Sequence, residues 1–231
     1  MSRDMTGTQC ILLFVKSPAD VKVKSRLAAT VGDETARALY AHFVLDMTGT
    51  LKAAPCPFRI CYHPPGAGDA VSSWLGNGFI SLPQQGKDLG KRMENAFHQV
   101  FSEGFSSAII IGSDIPDLPV TILNEALGSL KTSDAVIGPA VDGGYYLIGF
   151  RKHTFLPEVF RGRIWSTNTV LPETIELFKR SKHRVHRLPE WRDVDTIEDL
   201  RALLLRNTQT DFRTSGTMTY LIRNRKKIFN E

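Results

Sequence analysis

The feature that most constrains this chain is an alternation. Short runs of Val, Ile, Leu and Phe are separated by longer stretches whose apolar residues recur at helical spacing. A chain with that rhythm is expected to place its short runs in a mostly parallel sheet and to cover the sheet with helices, an α/β architecture. Residues 10–15, 58–62, 79–82, 108–111, 135–138, 145–150 and 185–188 read as strands, and 33–53, 89–101, 120–130, 168–179 and 197–205 as helices. In 33–53, Ala36, Leu39, Tyr40, Phe43, Val44, Met47 and Leu51 fall on one stripe, with Asp33 positioned to cap the first turn. The run 108–111 stops abruptly at Gly112, as a central parallel strand does where its carboxyl end meets a loop.

With 231 residues, 42% hydrophobic and 23% charged, one substantial core is expected, in a single domain over 8–206. The formal charge of +5 is concentrated in the remainder. Residues 206–231 hold Arg206, Arg213, Arg223, Arg225, Lys226 and Lys227 against Asp211 and Glu231. Residues 207–231 therefore read as a basic, solvated tail. One terminal cluster is not the basic face that nucleic-acid binding needs, so no nucleic-acid partner is expected. No run approaches the roughly 18 apolar residues of a membrane span, and the start lacks a secretory pattern, so a cytoplasmic protein is expected. Cys10, Cys56 and Cys61 have neither CxxC spacing nor a nearby histidine pair and read as idle thiols.

Ligands of open α/β sheets bind beyond the carboxyl ends of the strands, so the loops after Val15, Ile111 and Gly138 should converge on one site. The first loop, Lys16-Ser17-Pro18-Ala19-Asp20-Val21-Lys22-Val23-Lys24-Ser25-Arg26-Leu27, crowds four cations that suit a nucleotide's phosphates or a departing phosphate, although an exposed basic loop would look the same. The second, Gly112-Ser113-Asp114-Ile115-Pro116-Asp117, carries two carboxylates. Magnesium and manganese take hard oxygen ligands, often one or two carboxylates plus phosphate and water. Asp114, nearer the strand end, is the better ligand candidate, while Asp117 reads as the cap of helix 120–130. The third, Gly138-Pro139-Ala140-Val141-Asp142-Gly143-Gly144-Tyr145-Tyr146-Leu147, fits either a hairpin turn or a substrate-approached backbone beside aromatic walls. Arg192-Asp193-Val194-Asp195-Thr196-Ile197-Glu198-Asp199-Leu200 puts two acids ahead of a helix that Thr196 can cap. Gly86-Lys87-Asp88-Leu89-Gly90-Lys91-Arg92 is not a P-loop: its glycines are one residue too close, and Arg92 stands where a Ser or Thr should hold magnesium.

Taken together, Lys24-Ser25-Arg26-Leu27, Gly112-Ser113-Asp114-Ile115-Pro116-Asp117-Leu118, Gly138 to Gly149, Trp165-Ser166-Thr167 and Asp193-Val194-Asp195-Thr196-Ile197-Glu198-Asp199-Leu200 resemble the bacterial DUF2064 group, the radical-SAM/selenodomain-associated transferase 1 proteins. The resemblance runs from about Ile11 to Leu205. It implies the glycosyltransferase A-type (nucleotide-diphospho-sugar transferase) fold, a three-layer α/β/α sandwich with a nucleotide-binding N-terminal half. It also implies Asp114 and Asp195 as ligands of Mg²⁺ or Mn²⁺. Lys24, Arg26 and Asp114 would be catalytic, with Lys16, Lys22, Lys24, Arg26, Asp88, Arg92 and Asp114 on the nucleotide side and Asp142, Gly143, Gly144, Trp165 and Ser166 toward the acceptor. Two departures stand out: the first loop has no glycine before its Val-Lys-Ser-Arg-Leu run, and Asn168 replaces the family's acid after Trp-Ser-Thr.

The implied function is transfer of a glycosyl or nucleotidyl group from a nucleotide sugar or nucleoside triphosphate to a small-molecule acceptor. A guanylyltransferase-like release of pyrophosphate and a non-catalytic nucleotide-binding protein are the alternatives.

Overall fold

The computed structural model describes residues 8–19, 22–165 and 167–229. Seven strands form one sheet in the order β3-β2-β1-β4-β6-β5-β7. They are β1 (Gln9–Lys16), β2 (Phe58–His63), β3 (Ser81–Pro83), β4 (Ser107–Gly112), β5 (Ala135–Pro139), β6 (Tyr145–Arg151) and β7 (Val185–Arg187). Every pairing is parallel except those of β6, which runs antiparallel to β4 and β5.

Helices cover both faces, which explains why the central strands read as unbroken apolar runs. Successive residues of β1 serve opposite cores: Ile11, Leu13 and Val15 belong to one cluster, Cys10, Leu12 and Phe14 to the other. The first core is closed by α2 (Asp33–Lys52), α5 (Val120–Ser129) and α7 (Ile197–Arg206) through Phe43, Met47, Leu123, Leu200 and Leu203. The second is closed by α4 (Leu89–Ser102) and α6 (Val170–Arg180), where Phe97, Phe101, Phe150, Phe160 and Phe178 pack together. Each such fully buried side chain contributes about 1.5–3 kcal/mol relative to exposure. The expected three-layer α/β/α sandwich is therefore what forms.

Three details differ from the sequence reading. Short helices α1 (Ser25–Val31) and α3 (Gly68–Leu75) appear where no helix was expected. Asp33 is the first residue of α2 rather than its cap, a position taken by Gly32. The third correction concerns residues 207–231: instead of a solvated tail, the described part folds back as α8 (Gly216–Arg223) and α9 (Arg225–Phe229). Met218, Leu221, Ile228 and Phe229 are buried in the first core. Asp46 of α2 accepts hydrogen bonds from the Gly216 and Thr217 backbone N–H groups at 3.0 and 2.8 Å, holding the positive end of α8. No described helix is long and apolar enough to cross a membrane.

Candidate active site

Four connections draw the strand ends together at the carboxyl edge. Lys16 N–H donates to the Tyr40 hydroxyl at 2.8 Å, and that hydroxyl lies 2.9 Å from Ser113 Oγ, so the loops after β1 and β4 share one buried hinge. Ser17 N–H donates to the His63 carbonyl at 2.7 Å, joining the end of β2. Val194 N–H donates to the Asp114 carbonyl at 2.8 Å. Trp191 N–H donates to Pro139, and Val141 N–H to Trp191, at 3.0 and 3.1 Å. Segment 191–195 is thus wedged between the ends of β4 and β5.

Lys24 is the centre of the arrangement. Its backbone is left-handed, with φ of 51°, at the N-cap of α1. That conformation is uncommon for a residue with a Cβ. The side chain is 3% exposed, and its Nζ lies 2.6 Å from Asp114 Oδ1 and 2.8 Å from Asp195 Oδ1. Burial pushes the ammonium's pKa down, but the two carboxylates outweigh burial and hold it above the ordinary value, so Lys24 stays charged. Arg26 Nη2 lies 2.6 Å from Asp195 Oδ2. Burial of Asp195 is likewise outweighed, here by Lys24, Arg26 and Lys16, and its carboxyl titrates below the usual range.

Asp193, which the sequence reading left without a role, completes the group. Burial together with the carboxylates of Asp195 and Asp142 pushes its pKa up to about 6, against the pull of Lys24. Four carboxylates, Asp114, Asp142, Asp193 and Asp195, thus share one edge with two paired cations. The sequence signal for Asp193 was its spacing, since residues two apart in an extended Asp-Val-Asp segment face the same side.

Several candidates settle elsewhere. Lys22 is 83% exposed and pairs with Asp33 at 3.8 Å, outside the Lys24 cluster. Asp88 caps α4 by accepting from Lys91 N–H at 2.8 Å. Asp117 is not the cap of α5, whose N-cap is Pro119. Its side chain is 2% exposed and accepts from Arg206 Nε and Nη2, Asn207 Nδ2 and Trp191 Nε1 at 2.6–3.1 Å. Gly143, at φ +90°, serves the chain's own packing: a Cβ there would lie 2.6 Å from Asn168 Cα. Gly144 N–H donates to Asp142 Oδ1 at 2.9 Å, closing the hairpin turn. Trp165 lies against Gly90 of α4, where a Cβ would approach its ring to 2.7 Å. Ser166 lies outside the described residues, as do Asp20 and Val21.

Carboxylate oxygens are the ligand type that a hard divalent cation takes. Asp114 is 46% exposed, and only its Oδ1 is engaged among the described residues. Asp193 has no hydrogen-bond partner there, whereas both Asp195 oxygens are held by cations. Among the described residues no three or more His, Cys, Asp or Glu side chains form a metal cage by themselves. A two-carboxylate site would rely on phosphate oxygens and water for its remaining ligands.

Comparison with known proteins agrees with this fold. The model of a family described as an uncharacterized protein conserved in bacteria, DUF2064, matches residues 47–167. A crystal structure from Desulfovibrio desulfuricans G20, provisionally designated a nucleotide-diphospho-sugar transferase, is 44% identical over 96% of this chain and 97% of its own, with a TM-score of 0.92. A cytidylyltransferase from Leptospira borgpetersenii serovar Hardjo-bovis superimposes with a TM-score of 0.57 at 15% identity, covering 97% of this chain and 98% of its own. CMP:2-keto-3-deoxy-manno-octonic acid synthetase, solved with CTP, gives 0.56 at 12% identity over 87% and 99%. No curated protein matches the chain.

Proposed function

The chain belongs to the DUF2064 family and has the nucleotide-diphospho-sugar transferase fold, and from that premise we propose that it is a metal-dependent transferase moving a group from a nucleotide donor to a small-molecule acceptor. The observation that carries the proposal is that at the carboxyl edge Asp142 and Asp193 add to Asp114 and Asp195, whose charges Lys24 and Arg26 already meet, leaving more carboxylates than paired cations. Uncompensated carboxylates sharing one partly buried site favour a bound cation, and a cation so held favours phosphate.

In this reading Asp114 and Asp195 hold Mg²⁺ or Mn²⁺, with Asp193 and Asp142 adding to the field. When bound, the ion supplies Lewis-acid neutralisation of phosphate charge. Lys24 fixes the two carboxylates at one separation through its paired N–H donors, and a buried side chain loses little order when substrate arrives. Arg26, 67% exposed, is free to exchange its carboxylate for a phosphate oxygen. Rate acceleration would come from positioning and electrostatics rather than from a covalent intermediate.

The test is a thermal-shift screen of CTP, GTP, ATP, UTP and UDP-glucose with and without Mn²⁺, followed by product analysis. The expected result is a metal-dependent rise in Tm for at least one donor, lost in Asp114→Ala, with release of pyrophosphate or a nucleoside diphosphate. CTP goes first because a protein of similar fold was solved with it. Binding without either product would leave a nucleotide-binding protein that does not turn over, and no binding at all would sink the proposal.

A further inference from the structure

Beyond the Asp114–Asp195 centre, on the β2 side of the same edge, stand three nitrogen-bearing side chains, none of which makes an ion pair with a carboxylate among the described residues. His63 ends β2, and its carbonyl is tied to Ser17 at the end of β1. Its Nδ1 is buried without a hydrogen-bond partner among the described residues. Arg92 enters from the first turn of α4, and among the described residues its Nε is also buried without a partner. Lys16 ends β1, is exposed, and makes no ion pair within 4.0 Å among the described residues. A buried polar group left unpaired costs about 1–3 kcal/mol, a cost that a ligand can remove.

Lys16 and His63 are register partners at the ends of the parallel strands β1 and β2; burial and then the charges of Arg92 and Lys16 hold the His63 pKa below its ordinary value. Against burial, and after Lys24 and Arg26, the charge of Lys16 also helps to lower the Asp195 carboxyl. Burial lowers Arg92, and the one carboxylate opposing that shift, Asp88, is already engaged as the cap of α4. By contrast Lys24 and Arg26 meet Asp195, Lys22 meets Asp33 and Lys91 meets Glu94. Among the described residues, then, the charges of Lys16 and Arg92 are met by no ion pair, and the polar edge of His63 lies with them.

We propose that Lys16, His63 and Arg92 form a second anion subsite, which takes the terminal phosphoryl group of the donor and thereby marks the donor as a nucleoside triphosphate. The inference rests on the nucleotide-donor reading above. A nucleotide sugar has both phosphoryl groups esterified on their outer sides and offers no terminal dianion. A triphosphate offers one, separated from its α-phosphorus by the length of a diphosphate. The reaction is then attack by an acceptor oxygen on the α-phosphorus. A new O–P bond forms and the bond from the α-phosphorus to the bridging oxygen breaks. The electron pair departs on pyrophosphate, and the acceptor's proton passes to water.

Calorimetry on the full chain tests this, with inorganic pyrophosphate, the four common nucleoside triphosphates and UDP-glucose as probes, each with Mg²⁺. Lys16→Gln, His63→Ala and Arg92→Lys are compared with wild type; the last keeps the charge but removes Nε. The expected result is that each variant weakens pyrophosphate and triphosphate binding at least about fivefold, because each removes a charge-assisted hydrogen bond. Losses below fivefold in all three overturn the proposal, as does failure of the wild type to bind pyrophosphate and every triphosphate. Lys16 is exposed, so Lys16→Gln remains informative if a variant at Arg92 fails to fold. If wild type binds pyrophosphate with this sensitivity but no nucleotide, the donor reading falls and the subsite stands. If metal-dependent nucleotide binding persists and ignores all three residues, the subsite falls and the donor reading stands.

Discussion

Asp114 and Asp117 stand three residues apart after the same strand, yet the fold treats them in opposite ways. Asp117 is 2% exposed and fully answered: Arg206 grips it with two nitrogens while Asn207 and Trp191 supply two more donors. Asp114 is 46% exposed, uses one oxygen on Lys24, and faces Asp193 and Asp195. A carboxylate whose charge and lone pairs are satisfied by the protein is a structural anchor; one surrounded by further acids favours a ligand that brings positive charge. Acidic residue type alone therefore says little, and the local balance of charge says much.

The largest way to break this comparison is at the anchor. Asp117→Ala strands the Arg206 guanidinium and is expected to cost about 3–5 kcal/mol, read as a drop in the urea midpoint at unchanged m. Burial pushes the Asp117 carboxyl up, but Arg206, Asn207 and Trp191 outweigh it and hold the pKa below the ordinary value. Its contribution is thus present above the unfolded carboxyl pKa of about 3.9 and disappears as pH falls through the lower folded value. Asp117→Asn should flatten that part of the acid limb in a plot of stability against pH, and an unchanged limb would deny Asp117 its role.

The opposite sign is expected on the other side. The Asp193 carboxyl is raised to about 6, so folding favours its protonated form. The penalty is absent below a pH of about 3.9, grows up to about pH 6, and is complete above it. Asp193→Asn should therefore stabilise the protein at pH 8 by about 1–2 kcal/mol, discounted for partial exposure, and hardly at all at pH 4. A loss of stability at pH 8 would mean that Asp193 is anchored like Asp117. The smallest effect belongs to Lys22→Ala, which removes an exposed pair with Asp33 and should shift stability by under about 0.5 kcal/mol, with nucleotide binding within twofold of wild type. A larger loss of binding would bring Lys22 back to the site.

The sheet was readable because burial on both faces leaves little but apolar residues in β1, β4 and β5, and the long amphipathic helices were readable because α2 and α4 carry an apolar stripe over several turns. The short helices α1, α3, α8 and α9 escaped, since five to eight residues give too few turns for a period to show. The basic composition of 207–231 masked Met218, Leu221, Ile228 and Phe229, which seal the first core. In the site, charge density in the first loop was visible but direction was not. Left-handed backbone at Lys24 goes with an inward side chain, while Lys22 two residues earlier points to solvent. The partner of Asp117 lies 89 residues away, beyond any local pattern, which is why its structural role was readable only as a helix cap. His63 has no motif around it; the end of β2 and two unpartnered nitrogens single it out only in three dimensions.

The most direct test of the contrast is Mn²⁺ binding measured by electron paramagnetic resonance in the presence of CTP, GTP, ATP or UTP, for wild type, Asp114→Asn and the conservative control Glu198→Gln. Wild type and the control should bind Mn²⁺ with at least one triphosphate, whereas Asp114→Asn should lose that binding while its unfolding free energy stays within about 1 kcal/mol of wild type. Undiminished Mn²⁺ binding by a folded Asp114→Asn protein would contradict a metal role for Asp114.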